Sequence, residues 1–342
     1  MSGNKKPVKK GLLIFLCIIL GIVLVSMIGV TIFANSFLGK INRFDKEQET
    51  LSDEQIESIL NETDPTEEGF DGEVLSGDDV NLPEENAELI DKSENVVHIM
   101  LIGQDRRPNQ GRTRSDAMIL CTINKENKSL VMTSFMRDTY VKIPDVNGKR
   151  YGKNRLNVPY ALGGMDSLAE CMVMNFGIEV DQFIEVDFSQ FEQIVDAVGG
   201  VDIELTSSEA YRLGDGLKEG MSHLDGEHAL AYARIRKIGG DFGRTNRQRT
   251  VLLAILDKAK SMSINEILSL TDTIFPMITT DMTNADIVTY VMEFFPLLKN
   301  LQVTTQTAPM AGEYKGAMID GMAVLVPDLE KINARLRETI GS

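Results

Sequence analysis

Residues 95–135 read NVVHIMLIGQDRRPNQGRTRSDAMILCTINKENKSLVMTSF, and they set the fold class. NVVHIMLIG is an apolar run of strand length interrupted only by His98 after its first Asn, a buried strand pattern. DAMILCTI and SLVMTSF are two more such runs, and the polar insert NKENK between them predicts a hairpin. Further on, GGMDSLAECMVMNFG is amphipathic and closes on Gly177, which predicts a helix with a glycine stop. QFIEVDF predicts a strand, SQFEQIVDAVGG a helix closed by Gly199-Gly200, and VDIEL another strand. DGEHALAYARIR, RTNRQRTVLLAILDKAKSM and NADIVTYVMEFFPLLKN predict helices, LQVTTQTA a strand, and VPDLEKINARLRETI a last helix. Strands alternating with helices make the class α/β, one sheet layered by helices. Hairpins mixed with crossovers predict that this central β-sheet is mixed.

Toward the N-terminus the texture changes twice. Residues 45–94 hold 19 acids against Lys46 and Lys92, and they contribute most of the net charge of -16. So acidic a stretch, short of aromatics, buries too little apolar area to offset its chain entropy. It reads as a solvated, self-repelling spacer over residues 34–94, with a short helix around Ser52–Leu60. Before it, residues 11–33 (GLLIFLCIILGIVLVSMIGVTIF) carry no charge. At 1.5 Å per residue they reach about 34 Å, enough to cross a bilayer core. KKPVKK precedes them, so residues 1–10 are expected in the cytoplasm and residues 95–342 outside as one domain. A cleaved signal peptide is the rival reading, with Ala34-Asn35-Ser36 as a small-x-small site, but the apolar run is longer than such peptides use.

Composition excludes several classes. Three cysteines (Cys17, Cys121, Cys171) are too few for a disulfide framework, and nothing in their spacing demands that Cys121 and Cys171 pair. With no Trp and no basic excess, a dedicated nucleic-acid binder is not expected. There is no GxxxxGK[ST] loop, GxSxG elbow, HExxH or CxxC. His98, His223 and His228 are scattered and read as structural.

Arg and Asp residues remain, all at strand ends or helix starts. HIMLIG runs into Gln104-Asp105-Arg106-Arg107. Arg114-Ser115-Asp116 opens the next strand, and Arg137-Asp138 ends the third. Arg234-Ile235-Arg236 follows a helix, and DFGRTNRQ (residues 241–248) opens another. Ligand crevices in open α/β sheets lie just past strand ends. Arg244 and Gln248 are i,i+4 on one helix face. Guanidinium forks in a cluster suit phosphate or pyrophosphate better than sugar hydroxyls. Asp105 and Asp116 would repel such a ligand unless a cation such as Mg²⁺ lay between them.

These blocks resemble the LytR-CpsA-Psr family, membrane-anchored cell-wall glycopolymer transferases of mainly Gram-positive bacteria. The resemblance runs from about Val96 to Leu336. It rests on LIGQDRR, GRTRSDAMIL, SFMRDTYVKIP, RLNVPYALGG, VDFSQFEQIVDAVGGVDI, LDGEHALAYARIR and DFGRTNRQRTVLL, in that order. It implies a mixed sheet between helices with an apolar pocket for a polyprenyl chain. It further implies transfer of a glycopolymer (teichoic acid, capsular or other wall polysaccharide) from an undecaprenyl-pyrophosphate carrier to peptidoglycan, with Mg²⁺ or Mn²⁺ on the pyrophosphate. By position, Asp105 and Asp116 correspond to the metal-associated pair. Arg107, Arg114, Arg137, Arg234, Arg236, Arg244 and Gln248 correspond to the phosphate-binding set, and Asp241 to a supporting acid. Asp105, Asp116, Arg137 and Asp241 are thus the expected catalytic residues. Arg106 and Val158-Pro159 depart from the family pattern without touching this set. A polyprenyl-pyrophosphate hydrolase and a non-catalytic, carrier-binding envelope regulator are the alternatives. The sequence does not single out the polymer, the acceptor hydroxyl or the aspartate that takes the proton.

Overall fold

The computed structural model describes residues 38–44, 51–61, 72–106 and 112–341. The expected anchor at 11–33 and Arg107 lie outside these residues. Among the described residues no helix is long and apolar enough to cross a membrane.

In chain order the strands are β1 (Asn42–Arg43), β2 (Glu73–Leu75), β3 (Val96–Gln104), β4 (Ser115–Asn124), β5 (Ser129–Phe135), β6 (Tyr140–Lys142), β7 (Lys153–Arg155), β8 (Gln182–Asp187), β9 (Val201–Leu205), β10 (Gly220–Leu224), β11 (Thr279–Thr280), β12 (Gln302–Ala308), β13 (Tyr314–Ile319) and β14 (Met322–Pro327). The helices are α1 (Asp53–Asn61), α2 (Val158–Phe176), α3 (Phe188–Ala197), α4 (Ser207–Leu213), α5 (Gly226–Ala233), α6 (Gly240–Ser261), α7 (Ile264–Ile274), α8 (Asn284–Phe294) and α9 (Leu329–Ile340).

The central sheet runs β1-β11-β8-β3-β4-β5-β12. It is mixed, as expected: β3 pairs with β8 and β5 with β12 in parallel, whereas β3–β4 and β4–β5 are antiparallel. The NKENK turn closes on Asn124, whose side chain accepts from the backbone N–H groups of Glu126 and Asn127 at 3.0 and 2.9 Å. The largely apolar run of β3 has a direct cause. Alternate side chains face opposite sides of a strand. Met100 and Ile102 enter the core beneath α2 and α9, while Val97, Ile99 and Leu101 enter a second core that includes Leu252, Leu253 and Leu256 of α6 and Ile287 of α8. Both faces are covered, so both registers are apolar. Burying one such side chain contributes about 1.5–3 kcal/mol. The smaller elements are a three-stranded sheet β14-β13-β2 and the two-stranded antiparallel sheets β9–β10 and β6–β7.

The helix expected over NADIVTYVMEFFPLLKN is shorter than its pattern. It ends at Phe294, and a 3₁₀ segment, Phe295–Asn300, follows. Pro296 has no N–H to donate to an α-helical ladder. Cys121 and Cys171 are both buried and unbridged.

The solvated spacer is a correction. Its described parts pack on the domain. β1 pairs with β11, and β2 pairs with β13. Val80, Leu82 and Ile90 join the main core at 4, 6 and 6% exposure. Average composition hid these few apolar anchors, because the acids between them stay at the surface. Gly177 shows how tightly the segment is held. It ends α2 at φ 66°, and the Ile90 N–H donates to its carbonyl at 2.8 Å. A Cβ at Gly177 would lie 2.0 Å from the carbonyl oxygen of Glu88.

Candidate active site

The site is built where four backbone segments end beside one another. β3 finishes at Gln104 and presents Asp105. The β3–β4 pairing runs Gly103 to Ala117 and then Gln104 to Ser115, so Asp116 is passed over. Such a bulge re-aims a side chain, and Asp116 lines a cavity of about 350 Å³ with Asp105, Phe188, Arg234, Arg236, Arg244 and Gln248.

Arg234 and Arg236 follow the end of α5 at Ala233, with buried Ile235 between them. Both line the same cavity, but Arg234 is still helical (φ -98°, ψ -3°), so an extended backbone is not what brings them together. Arg234 packs its guanidinium 4.7 Å from the ring centroid of Phe188 and places Nη2 3.7 Å from Asp105 Oδ2. This cation–π contact leaves the charge facing the cavity. Arg244 and Gln248 share one face of α6 and complete the lining.

Behind the lining lies a buried charge network. Arg137, at the end of β5, donates through Nη1 to Asp116 Oδ1 and through Nε to Asp241 Oδ2, both at 3.0 Å. Arg244 Nη2 donates to the same Asp241 oxygen at 2.9 Å. Burial opposes ionisation of Asp241, but Arg244, Arg137 and Arg236 outweigh it and hold the carboxyl below its usual range. Burial, with the like charge of Arg137, lowers the Arg244 guanidinium from its ordinary value. Arg137 and Asp241 thus stand one layer back and orient the lining residues.

Arg114 is not brought into the cavity. It donates through Nη2 to the carbonyl oxygen of Ile59 in α1, part of the segment read as spacer. Arg106 also turns away, with Nη2 3.4 Å from Glu185 Oε1; Glu185 in turn accepts from the buried Tyr160 hydroxyl.

Sequence reasoning passed over Arg247. It is buried, donates to Glu209 Oε1 at 2.7 Å, and donates to the carbonyl oxygens of Ile235 and Ile238 at 2.9 and 2.8 Å. It therefore clamps the segment that carries Arg234 and Arg236. Its spacing from Arg244 is also a helical one, so spacing alone did not tell an inward arginine from a cavity-facing one.

A second, smaller cavity of about 90 Å³ adjoins the first and shares Phe188, Arg234 and Gln248 with it. Its walls are apolar, from Leu101, Val186, Phe191, Leu230 and Leu252 among others. Phe183 of β8 and Val195 of α3 do not line this cavity and are buried in the core. Among the described residues no three His, Cys, Asp or Glu side chains form a group that could hold a metal. Two carboxylates on one cavity fit a divalent cation when substrate oxygens complete its shell.

A model of the LytR_cpsA_psr family matches residues 53–339. The chain is 35% identical over 188 residues to TagV of Bacillus subtilis (strain 168), a polyisoprenyl-teichoic acid--peptidoglycan teichoic acid transferase, covering 52% of this chain and 47% of that one. It is 40% identical over 179 residues to TagU of Bacillus anthracis (strain CDC 684 / NRRL 3495), a transferase of the same description, covering 52% and 56%. The chain spans about half the length of these curated relatives. Among solved structures, TagT bound to LI-WTA superposes with a TM-score of 0.60 at 27% identity, over 76% of this chain and 98% of that one. Crystalline TagV of B. subtilis gives 0.57 at 27% identity, over 72% and 98%. The match begins in α1 and ends in α9, so most of the packed N-terminal segment is part of the family's own unit, and the chain belongs to the LytR_cpsA_psr family.

Proposed function

We propose that this protein is a membrane-anchored phosphotransferase that moves a glycopolymer from an undecaprenyl-pyrophosphate carrier to peptidoglycan outside the cell. One observation carries the reading: a cavity lined by three arginines opens directly into an apolar one, with Arg234 and Gln248 at the join. A polyprenyl pyrophosphate has that polarity, a doubly charged head on a hydrocarbon tail. The relatives' described activity and the uncharged run at residues 11–33 after KKPVKK agree with it.

In this reading Arg234, Arg236, Arg244 and Gln248 bind the phosphate oxygens. Their charge and donors lie where negative charge builds up as the phosphorus is attacked. The acceptor hydroxyl oxygen bonds to the sugar-linked phosphorus. The bond from that phosphorus to the bridging oxygen breaks, and polyprenyl phosphate departs with the electron pair. A carboxylate of the Asp105–Asp116 pair accepts the hydroxyl proton. Arg137 and Asp241 keep Asp116 and Arg244 aimed at the cavity. Asp105 and Asp116 would hold Mg²⁺ together with substrate oxygens. When bound, it would offset the repulsion between these carboxylates and the pyrophosphate.

The test is binding of three probes to the purified chain: a polyprenyl pyrophosphate, inorganic pyrophosphate and the parent polyprenol. The two-part cavity predicts that the first binds at least tenfold more tightly than either fragment. Equal affinity for the polyprenol would remove the arginines from the reading.

A further inference from the structure

We propose that the outer face of α8 rests on the lipid bilayer and fixes how the domain sits over the membrane. The inference rests on reading residues 11–33 as the anchor and adds a defined contact surface to it.

Val288, Val291 and Met292 are exposed at 41, 44 and 72%. They lie at i, i+3 and i+4, so they form one stripe on one helix face. The opposite face of α8 is already used, with Ile287, Tyr290 and Phe294 packed into the core that also holds Leu252 of the apolar cavity wall. Large apolar side chains grouped at a surface mark a contact site.

The path of the chain identifies the occupant. Only residues 34–37 separate the uncharged run from Leu38, where the described chain begins. Five extended links span at most about 18 Å. Leu38 and Ile41 are buried, at 5% exposure each, so the domain is gripped at once. Lys40 pairs with Asp272 of α7 at 2.7 Å, and Arg43 donates to Asn284, the first residue of α8. Val288 therefore lies about one helical turn from Asn284, the residue that Arg43 holds. A helix rises 1.5 Å per residue, so Met292 lies about 12 Å along α8 from Asn284.

Charge does not oppose the contact. Asp286 accepts from the Thr283 N–H and hydroxyl, both at 2.8 Å, and faces Arg43. Glu293 pairs with Lys125 at 3.0 Å. Both acids near the stripe are thus engaged within the protein.

The test uses the full chain carrying Cys17→Ser, reconstituted in vesicles of phosphatidylcholine and phosphatidylglycerol. Met292→Cys and Val74→Cys are each labelled with an environment-sensitive fluorophore; Cys121 and Cys171 are buried and escape labelling. Val74 is 80% exposed on β2, next to Leu75, which packs on the core across the sheet from α8. The proposal predicts that a lipid-borne nitroxide quenches the label at 292 and that a water-borne quencher reaches only the label at 74. If the chain floats with the vesicles but 292 responds like 74, the contact surface is overturned and the anchor reading stands. If 292 is shielded from both quenchers, the stripe is covered by a second copy or another part of the chain, which also overturns it. If the chain does not float with the vesicles, the anchor reading fails and the contact surface fails with it.

Discussion

Asp241→Asn tests the buried network most sharply, because shape is kept and only the charge is removed. Asp241 Oδ2 accepts from Arg137 Nε at 3.0 Å and from Arg244 Nη2 at 2.9 Å, and both arginines are under 10% exposed. A hydrogen bond to a charged group contributes about 1.5–3 kcal/mol. Two bonds on one oxygen, with both cations left buried, put the loss at about 3–5 kcal/mol, the range seen when one partner of a buried pair is removed. At about 2–4 °C per kcal/mol for a domain of this size, the melting temperature should fall by roughly 6–20 °C. The pH dependence adds a second check. The folded-state carboxyl is held below its usual value, so its contribution is present above the unfolded pKa and is lost as pH falls through the depressed folded value. The gap between wild type and Asp241→Asn should be full at pH 7 and narrow below about pH 4. Thermal melts followed by circular dichroism across that range decide it. A variant that melts within 2 °C of wild type at pH 7 would refute the reasoning.

Four further outcomes follow. Arg234→Lys keeps the charge but loses the planar fork, so turnover should drop roughly 10- to 150-fold in steady-state kinetics, while the melting temperature stays put because the side chain is half exposed. Arg247→Met strands the Glu209 carboxylate and frees the segment bearing Arg234 and Arg236. Melting should fall by the equivalent of about 3–5 kcal/mol, and adding Glu209→Gln should restore much of the stability but not the KM. Asp105→Ala should flatten the dependence of activity on added Mg²⁺, read as rate against metal concentration. Gly177→Ala should destabilise by at least about 2 kcal/mol in urea unfolding, since φ is positive and the Glu88 carbonyl occupies the Cβ position; wild-type stability there would mean that the N-terminal segment is not held as described.

The parts of this molecule that were legible in sequence are those set by local period. β3, β4, β5 and β8 announced themselves as largely apolar runs, and Asp105 and Asp116 meet at one cavity because the ends of β3 and β4 are neighbours in the sheet, whereas Arg106 and Arg114 turn away from it. Arg244 with Gln248 could be paired from helical spacing, whereas Arg234 and Arg236 line one cavity without the extended backbone that an i,i+2 pairing needs. Residues whose roles depend on a distant partner were not legible. Arg114 finds its acceptor on α1, 55 residues earlier in the chain. Arg247 turns inward because Glu209 and two carbonyl groups await it. The N-terminal segment failed differently: averaging over 19 acids concealed Val80, Leu82 and Ile90, and no window of composition reports three anchors spaced along a mostly polar, irregular stretch.

The central claim is transfer from a lipid pyrophosphate, and product analysis tests it most directly. The full chain is incubated in detergent or vesicles with Mg²⁺, undecaprenyl-pyrophosphate-linked polymer carrying a radiolabel in the glycan, and peptidoglycan fragments. The account predicts label in the peptidoglycan fraction, one polyprenyl phosphate released per chain transferred, and loss of both with Arg244→Ala. Label released as free polymer with peptidoglycan present, or label that stays on the lipid, would contradict it.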